Sequence, residues 1–150
     1  LRVVKRWTSR TSASDNFWFG VTWSPELALF CAVAISGTDR VMTSPDGINW
    51  TGRTAAAANG WRHVTWSSDL SLFCAVSNSG TGNRVMTSPD GITWTSRTSA
   101  ADSSWNGVTW SPELTLFCAV AAGTGDVMTS PDGITWTSRR KCVEKCNLVT

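Results

Sequence analysis

One short phrase returns three times in this chain and narrows the folds open to it. It reads Ser44-Pro45-Asp46-Gly47-Ile48-Asn49-Trp50, then Ser88-Pro89-Asp90-Gly91-Ile92-Thr93-Trp94, then Ser130-Pro131-Asp132-Gly133-Ile134-Thr135-Trp136. A partial fourth copy opens the chain, where Lys5-Arg6-Trp7-Thr8-Ser9-Arg10-Thr11 matches Ile92 to Thr98. The period is about 43 residues, which points to a solenoid, a propeller or an array rather than a single non-repeating core. Repeat one runs over about 17–54, repeat two over about 60–98 and repeat three over about 104–139, so that 13–140 holds the three repeats. Residues 1–12 read as an orphan outer strand, and 141–150 as a divergent, Cys-containing tail.

Within each repeat, four strand-like segments are separated by turn chemistry. In the third they are Asn106–Trp110, Leu116–Val120, Val127–Thr129 and Ile134–Arg139, interrupted by Ser111-Pro112-Glu113, Gly123-Thr124-Gly125 and Ser130-Pro131-Asp132-Gly133. The segments are short, β-rich and bounded by Gly or Pro, which excludes helices. The second is apolar on consecutive residues, as a strand covered on both faces is. The fourth alternates, as a strand with one wet face does. Small four-stranded sheets packed face to face satisfy both patterns. The fold class expected is therefore all-β: propeller blades of four antiparallel strands, about three per chain.

The repeated phrase resembles the Asp-box of the BNR, sialidase-type propeller repeats, whose usual pattern is Ser-x-Asp-x-Gly-x-x-Trp. Here Gly follows Asp directly, so the turn is one residue shorter. The resemblance implies a structural role for Ser44, Asp46, Gly47 and Trp50, for Ser88, Asp90, Gly91 and Trp94, and for Ser130, Asp132, Gly133 and Trp136. The residues suit that role: the Asp can accept from backbone N–H groups of its own turn, the Gly can supply a positive φ, and the Trp can fill the gap between blades. The sialidase reaction itself uses a Tyr nucleophile, and this chain contains no Tyr.

Catalysis of other kinds finds few candidates. His63, the single His, stands where the other repeats carry Gly20 and Gly107, so a Ser–His or Cys–His pair has no repeated base. Glu26, Asp69 and Glu113 hold equivalent turns and read as solvated turn residues. Cofactors and metal sites are not expected. The net charge of +2 is spread thinly, against nucleic-acid binding, and no apolar run reaches the ~20 residues of a membrane helix. The chain opens on Leu1 rather than Met, and a mature or trimmed product is expected.

Two functional readings follow. In the first, the chain is a non-catalytic scaffold that assembles with copies of itself, as a ring or a filament, outside the cell or on its surface. Propellers close with about 4–8 blades, and three repeats leave apolar faces at both ends. Alternatively, the chain is part of a longer polypeptide that finishes the ring. In the second, it is a multivalent glycan-binding lectin, with Trp18, Trp61 and Trp105 before each first strand as platforms. Cys31, Cys74 and Cys118 recur inside Leu-Phe-Cys-Ala-Val and read as buried free thiols. Cys142 and Cys146 in the tail are candidates for a disulfide, within the chain or across a junction.

Overall fold

The computed structural model describes residues 6–139. Those residues form twelve strands and no helix. Sheet one contains β1 (Trp18–Ser24), β2 (Leu29–Ala34), β3 (Arg40–Ser44) and β4 (Thr51–Thr54). Sheet two contains β5 (Trp61–Ser67), β6 (Leu72–Ser77), β7 (Val85–Ser88) and β8 (Thr95–Arg97). Sheet three contains β9 (Trp105–Ser111), β10 (Leu116–Ala121), β11 (Val127–Ser130) and β12 (Thr137–Ser138). Every pair is antiparallel and consecutive in the chain, so one repeat is one blade. The first strands line the inside of the arc, β1 against β5 and β5 against β9. The fourth strands lie outermost and are largely exposed.

The turn after each first strand has the same construction. The hydroxyl of Ser24 accepts from Leu27 N at 3.1 Å, and Ser67 and Ser111 do the same for Leu70 and Leu114. The chain then passes through a positive φ at Ala28, Ser71 or Thr115 before entering the second strand. At the other end of the first strand, one residue is bulged out of register: Phe19 in β1, Arg62 in β5 and Asn106 in β9. Trp18, Trp61 and Trp105 therefore open the first strands rather than precede them.

Two apolar clusters hold the arc together, and each is the gap between two blades. In the first, Cys31, Val33 and Val41 of blade one meet Trp61, Val64, Trp66, Phe73, Ala75, Met86 and Trp94 of blade two. In the second, the equivalent Cys74, Val76 and Val85 of blade two meet Trp105, Val108, Phe117, Ala119, Met128 and Trp136 of blade three. The second strand of the middle blade is accordingly buried along Phe73–Ser77, while β10 alternates because only one side of it is covered. Close approach also limits residue choice at Gly20, where a Cβ would sit 2.9 Å from the Arg62 carbonyl oxygen and 3.0 Å from the His63 Cα.

Two expectations need correction. The fourth strand was expected to begin at Ile134 or its equivalents, but it begins after the Trp. Ile48, Ile92 and Ile134 are exposed, because their N–H groups and those of the next residues are held by the turn Asp instead of a neighbouring strand. The three Cys are free thiols as read, yet not alike: Cys31 and Cys74 are fully buried, and Cys118 is partly exposed. Among the described residues, 6–12 belong to none of the three sheets. Cys142 and Cys146 lie outside the described residues.

Candidate functional site

Each repeated turn is a closed hydrogen-bond circuit. Asp90 Oδ1 accepts from Ile92 N and Thr93 N, both at 2.8 Å, and from the Ser88 hydroxyl at 3.0 Å. Ser88 Oγ in turn accepts from Gly91 N at 2.8 Å, and Trp94 Nε1 donates to the Gly91 carbonyl at 3.1 Å. The same circuit ties Ser44, Asp46, Gly47 and Trp50, and Ser130, Asp132, Gly133 and Trp136. Backbone donors hold the Asp46 carboxyl well below the usual range. For Asp90 and Asp132, burial pushes the carboxyl up, but the turn donors outweigh it and the net direction is down.

Gly91 has a φ of +74°, and a Cβ there would lie 3.1 Å from Thr43 Cγ2 and 3.3 Å from Leu29 Cδ2 of the blade in front. Gly47 has a φ of +70° but nothing from another blade beside it. Gly47→Ala is therefore expected to cost about 1–2 kcal/mol for the left-handed backbone. Gly91→Ala should cost more, because it also crowds the packed gap. Urea unfolding of the two variants measures the difference, and equal losses would show that the gap tolerates the methyl.

The remaining sequence candidates fall into place around the blade gaps. Trp61 and Trp105 are fully buried, with Nε1 donating to Ala57 O and Ala101 O at 3.0 Å. Their ring faces are taken by the core, so neither offers a sugar platform, which corrects that expectation. Trp18 makes the same bond to Ser14 O but is only partly covered. His63 Nδ1 lies 2.9 Å from the Val108 carbonyl oxygen and 3.2 Å from Val108 N, joining β5 to β9. Among the described residues no three His, Cys, Asp or Glu side chains gather as a metal site, and no helix is long and apolar enough to cross a membrane.

The turn carboxylates carry a role the repeat pattern did not reveal. Glu26 of blade one accepts from Trp66 Nε1 of blade two at 2.6 Å, and Asp69 of blade two accepts from Trp110 Nε1 of blade three at 2.8 Å. They stay exposed turn residues, as read, and in addition latch successive gaps. The Ser68 hydroxyl, the local backbone and the Trp66 donor together lower the Glu26 carboxyl against a smaller opposing effect of burial. A second latch runs from Arg40 Nη1 to Asn59 O at 2.7 Å and from Arg84 Nη1 to Ser103 O at 3.0 Å. In blade three, Asp126 stands at that position.

Each latch and each gap leaves half of itself unused at the ends of the arc. The front of blade one presents Trp18, Val21 and Trp50 around a shallow hollow of about 290 Å³ lined also by Ala32 and Met42, and the same blade carries the paired rings of Trp23 and Phe30. These are the counterparts of the residues that blade two buries against blade one. Val21 is 59% exposed, while Val64 and Val108 are 1% and 3% exposed. Trp50 is only partly covered where Trp94 and Trp136 are buried. The internal aromatic geometry does not differ: Trp23–Phe30, Trp66–Phe73 and Trp110–Phe117 centroids are 4.5, 4.6 and 4.7 Å apart. What differs is the cover. The back of blade three repeats the pattern, with Val120 49% exposed where Val33 and Val76 are fully buried. Leu116, Cys118 and Val127 lie beside it, partly exposed. Glu113 is exposed at this end, and Trp23 at the other.

No family model matches the chain, and no curated protein matches it. Solved structures do. Virginiamycin B lyase from Staphylococcus aureus is similar with a TM-score of 0.71 at 14% identity, over 87% of this chain and 43% of that one. YCF48 from Cyanidioschyzon merolae is similar with a TM-score of 0.64 at 18% identity, over 83% of this chain and 37% of that one. The GH74 enzyme of Niastella koreensis is similar with a TM-score of 0.55 at 19% identity, over 81% of this chain and 17% of that one. This chain thus spans less than half the length of each. The likeness establishes the fold, a three-blade stretch of β-propeller.

Proposed function

We propose that this chain is a non-catalytic propeller scaffold whose function is to assemble with copies of itself, the back of blade three on one copy covering the front of blade one on the next. One observation carries the reading. The two open faces are the two halves of an interface that the chain already builds twice, from near-identical residues, between its own blades. A face of this kind left open is a docking surface, and contact between two different faces gives a ring if the rotation closes and a filament if it does not. Leu116, Cys118, Val120 and Val127 would enter the space that Leu29, Cys31, Val33 and Val41 fill at the first gap. Glu113 would accept a hydrogen bond from Trp23 Nε1 as Glu26 accepts one from Trp66 Nε1. The arginine latch would be missing, since Asp126 replaces it.

The non-catalytic part of the reading is supported by how the polar candidates are engaged. The repeated Asp residues serve their own turns, Glu26 and Asp69 serve neighbouring Trp rings, and His63 serves the Val108 backbone. We read the turn as a shortened Asp-box on the strength of its Ser–Asp–Gly–Trp circuit.

Light scattering over a range of concentration tests the assembly. Particles of two or more chains are expected, of limiting size for a ring and growing with concentration for a filament. The native thiols report on the same event. Burial pushes the Cys31 and Cys74 thiols up, so both should resist alkylation throughout, whereas Cys118 should react in dilute chain and become protected on assembly. A monomer at every concentration, with Cys118 reactive throughout, overturns self-assembly and leaves the faces to blades elsewhere in a longer polypeptide.

A further inference from the structure

We infer that the N-terminal segment Trp7–Arg10 is a donated strand: in the assembly it adds to blade three of the copy in front, in the place of β12. The inference rests on the self-assembly reading above and goes beyond face-to-face contact, because it makes each junction an exchange of chain.

Three observations lead to it. First, Trp7-Thr8-Ser9-Arg10-Thr11 repeats the residues of a fourth strand and its approach, Trp94-Thr95-Ser96-Arg97-Thr98. Within the blades that strand is clasped by its arginine: Arg53 Nε donates to Thr43 Oγ1 at 3.0 Å, Arg97 to Thr87 at 2.9 Å and Arg139 to Thr129 at 2.8 Å. Arg10 has the matching position and is exposed in this chain.

Second, the segment is already aimed. The stretch after it is anchored on blade one as the inter-blade spacers are, since Trp18 Nε1 donates to Ser14 O just as Trp61 donates to Ala57 O and Trp105 to Ala101 O. Immediately upstream of those spacers the chain lies in the outer strand of the blade in front. Among the described residues no blade stands in front of residues 6–11, and Trp7 is fully exposed. The neighbouring copy's blade three would occupy that place.

Third, the strand to be replaced is an outer edge with few ladder contacts: Thr137 faces Thr129, Ser138 faces Met128, and Arg139 N donates to the Val127 carbonyl at 2.7 Å. Both residues of β12 are exposed. Exchange of one outer strand for another of the same sequence preserves the hydrogen bonds broken, which makes swapping a low-cost route to association. The net affinity then comes from covering the open blade faces, and the donated strand fixes the register of the junction. By the register of β11 with β12, where Thr129 faces Thr137 and Met128 faces Ser138, Thr8 would pair with Thr129 and Ser9 with Met128. Arg10 would reach Thr129 Oγ1, and Trp7 would stand beside Phe117 where Trp136 now stands.

The test mixes a Thr8→Cys chain at natural isotope abundance with a ¹⁵N-labelled Thr129→Cys chain, oxidises gently, and maps the disulfides by mass spectrometry. A peptide joining a natural-abundance residue-8 fragment to a ¹⁵N-labelled residue-129 fragment is expected. On an otherwise natural chain, Trp7→Phe identifies the Trp7 signal by difference: iodide should quench it in dilute chain and lose most of that quenching on assembly. Assembly by light scattering without the mixed disulfide, or with Trp7 still quenched, overturns strand donation and leaves face-to-face docking standing. Absence of assembly overturns both.

Discussion

Val64→Asp is expected to unfold this protein, whereas the same substitution at the equivalent Val21 is expected to leave it folded and, on the proposed self-assembly, to abolish association. The two valines occupy one position of the repeat, yet Val64 is 1% exposed in the first inter-blade cluster and Val21 is 59% exposed on the open front of blade one. A carboxylate at position 64 would face Cys31, Val33 and Val41 without a partner, and burying an unpaired charge costs several kcal/mol. That is a large part of the roughly 5–15 kcal/mol by which domains are stable. A carboxylate at position 21 meets solvent in the single chain, so both clusters survive. In the assembly it would lie against the next copy's Cys118, Val120 and Val127, and the same penalty would be charged to association. Val120→Asp should behave like Val21→Asp from the other side of the junction. Circular dichroism with urea reads the fold, and light scattering reads the assembly. A Val21→Asp chain that assembles as before would mean that the front of blade one is not the docking face.

The double variant Asp90→Ala, Asp132→Ala should lose about 2–4 kcal/mol, taking each charged turn acceptor at ~1–2 kcal/mol and the two sites as independent because no partner is shared. Each substitution leaves two backbone N–H groups and the Ser hydroxyl without their acceptor. The solvent exposure of those N–H groups keeps the figure moderate. Asn at the same positions keeps a neutral acceptor and should recover part of the loss. Acid gives an independent check. The folded carboxyls lie below their ordinary value of about 3.9, so the unfolded chain takes up protons first as pH falls. The turns therefore contribute fully above about pH 4 and lose that contribution progressively below it, through the depressed values. The urea midpoint of the natural chain should fall below pH 4 more steeply than that of the double variant. Parallel curves would show that the turn carboxylates do not carry the acid sensitivity.

Much of this molecule was legible before its structure. The return of Ser-Pro-Asp-Gly-x-x-Trp, with four short β segments between returns, leads to four-stranded blades, because local turn chemistry is written in neighbouring residues. Asp90 reaches Ile92 and Thr93, and Gly91 supplies its positive φ, all within a few positions. Repetition also obscured things. Val21, Val64 and Val108 look equivalent in sequence, as do Trp18, Trp61 and Trp105, yet the structure covers the second and third of each set and leaves the first open. Burial here depends on whether a blade stands in front, and a residue's neighbours in the chain do not report that. The latches escaped for the same reason: Glu26 meets Trp66 and Asp69 meets Trp110 across some forty positions, and the solvated acidic turn gives no sign of the indole that the next blade brings to it. Sequence by itself determined the repeat, its strands and its turns, since these arise from backbone conformations chosen locally. Only the tertiary structure decided which copies of each residue form core and which form surface, since packing between blades joins residues from different repeats and stops where the arc ends.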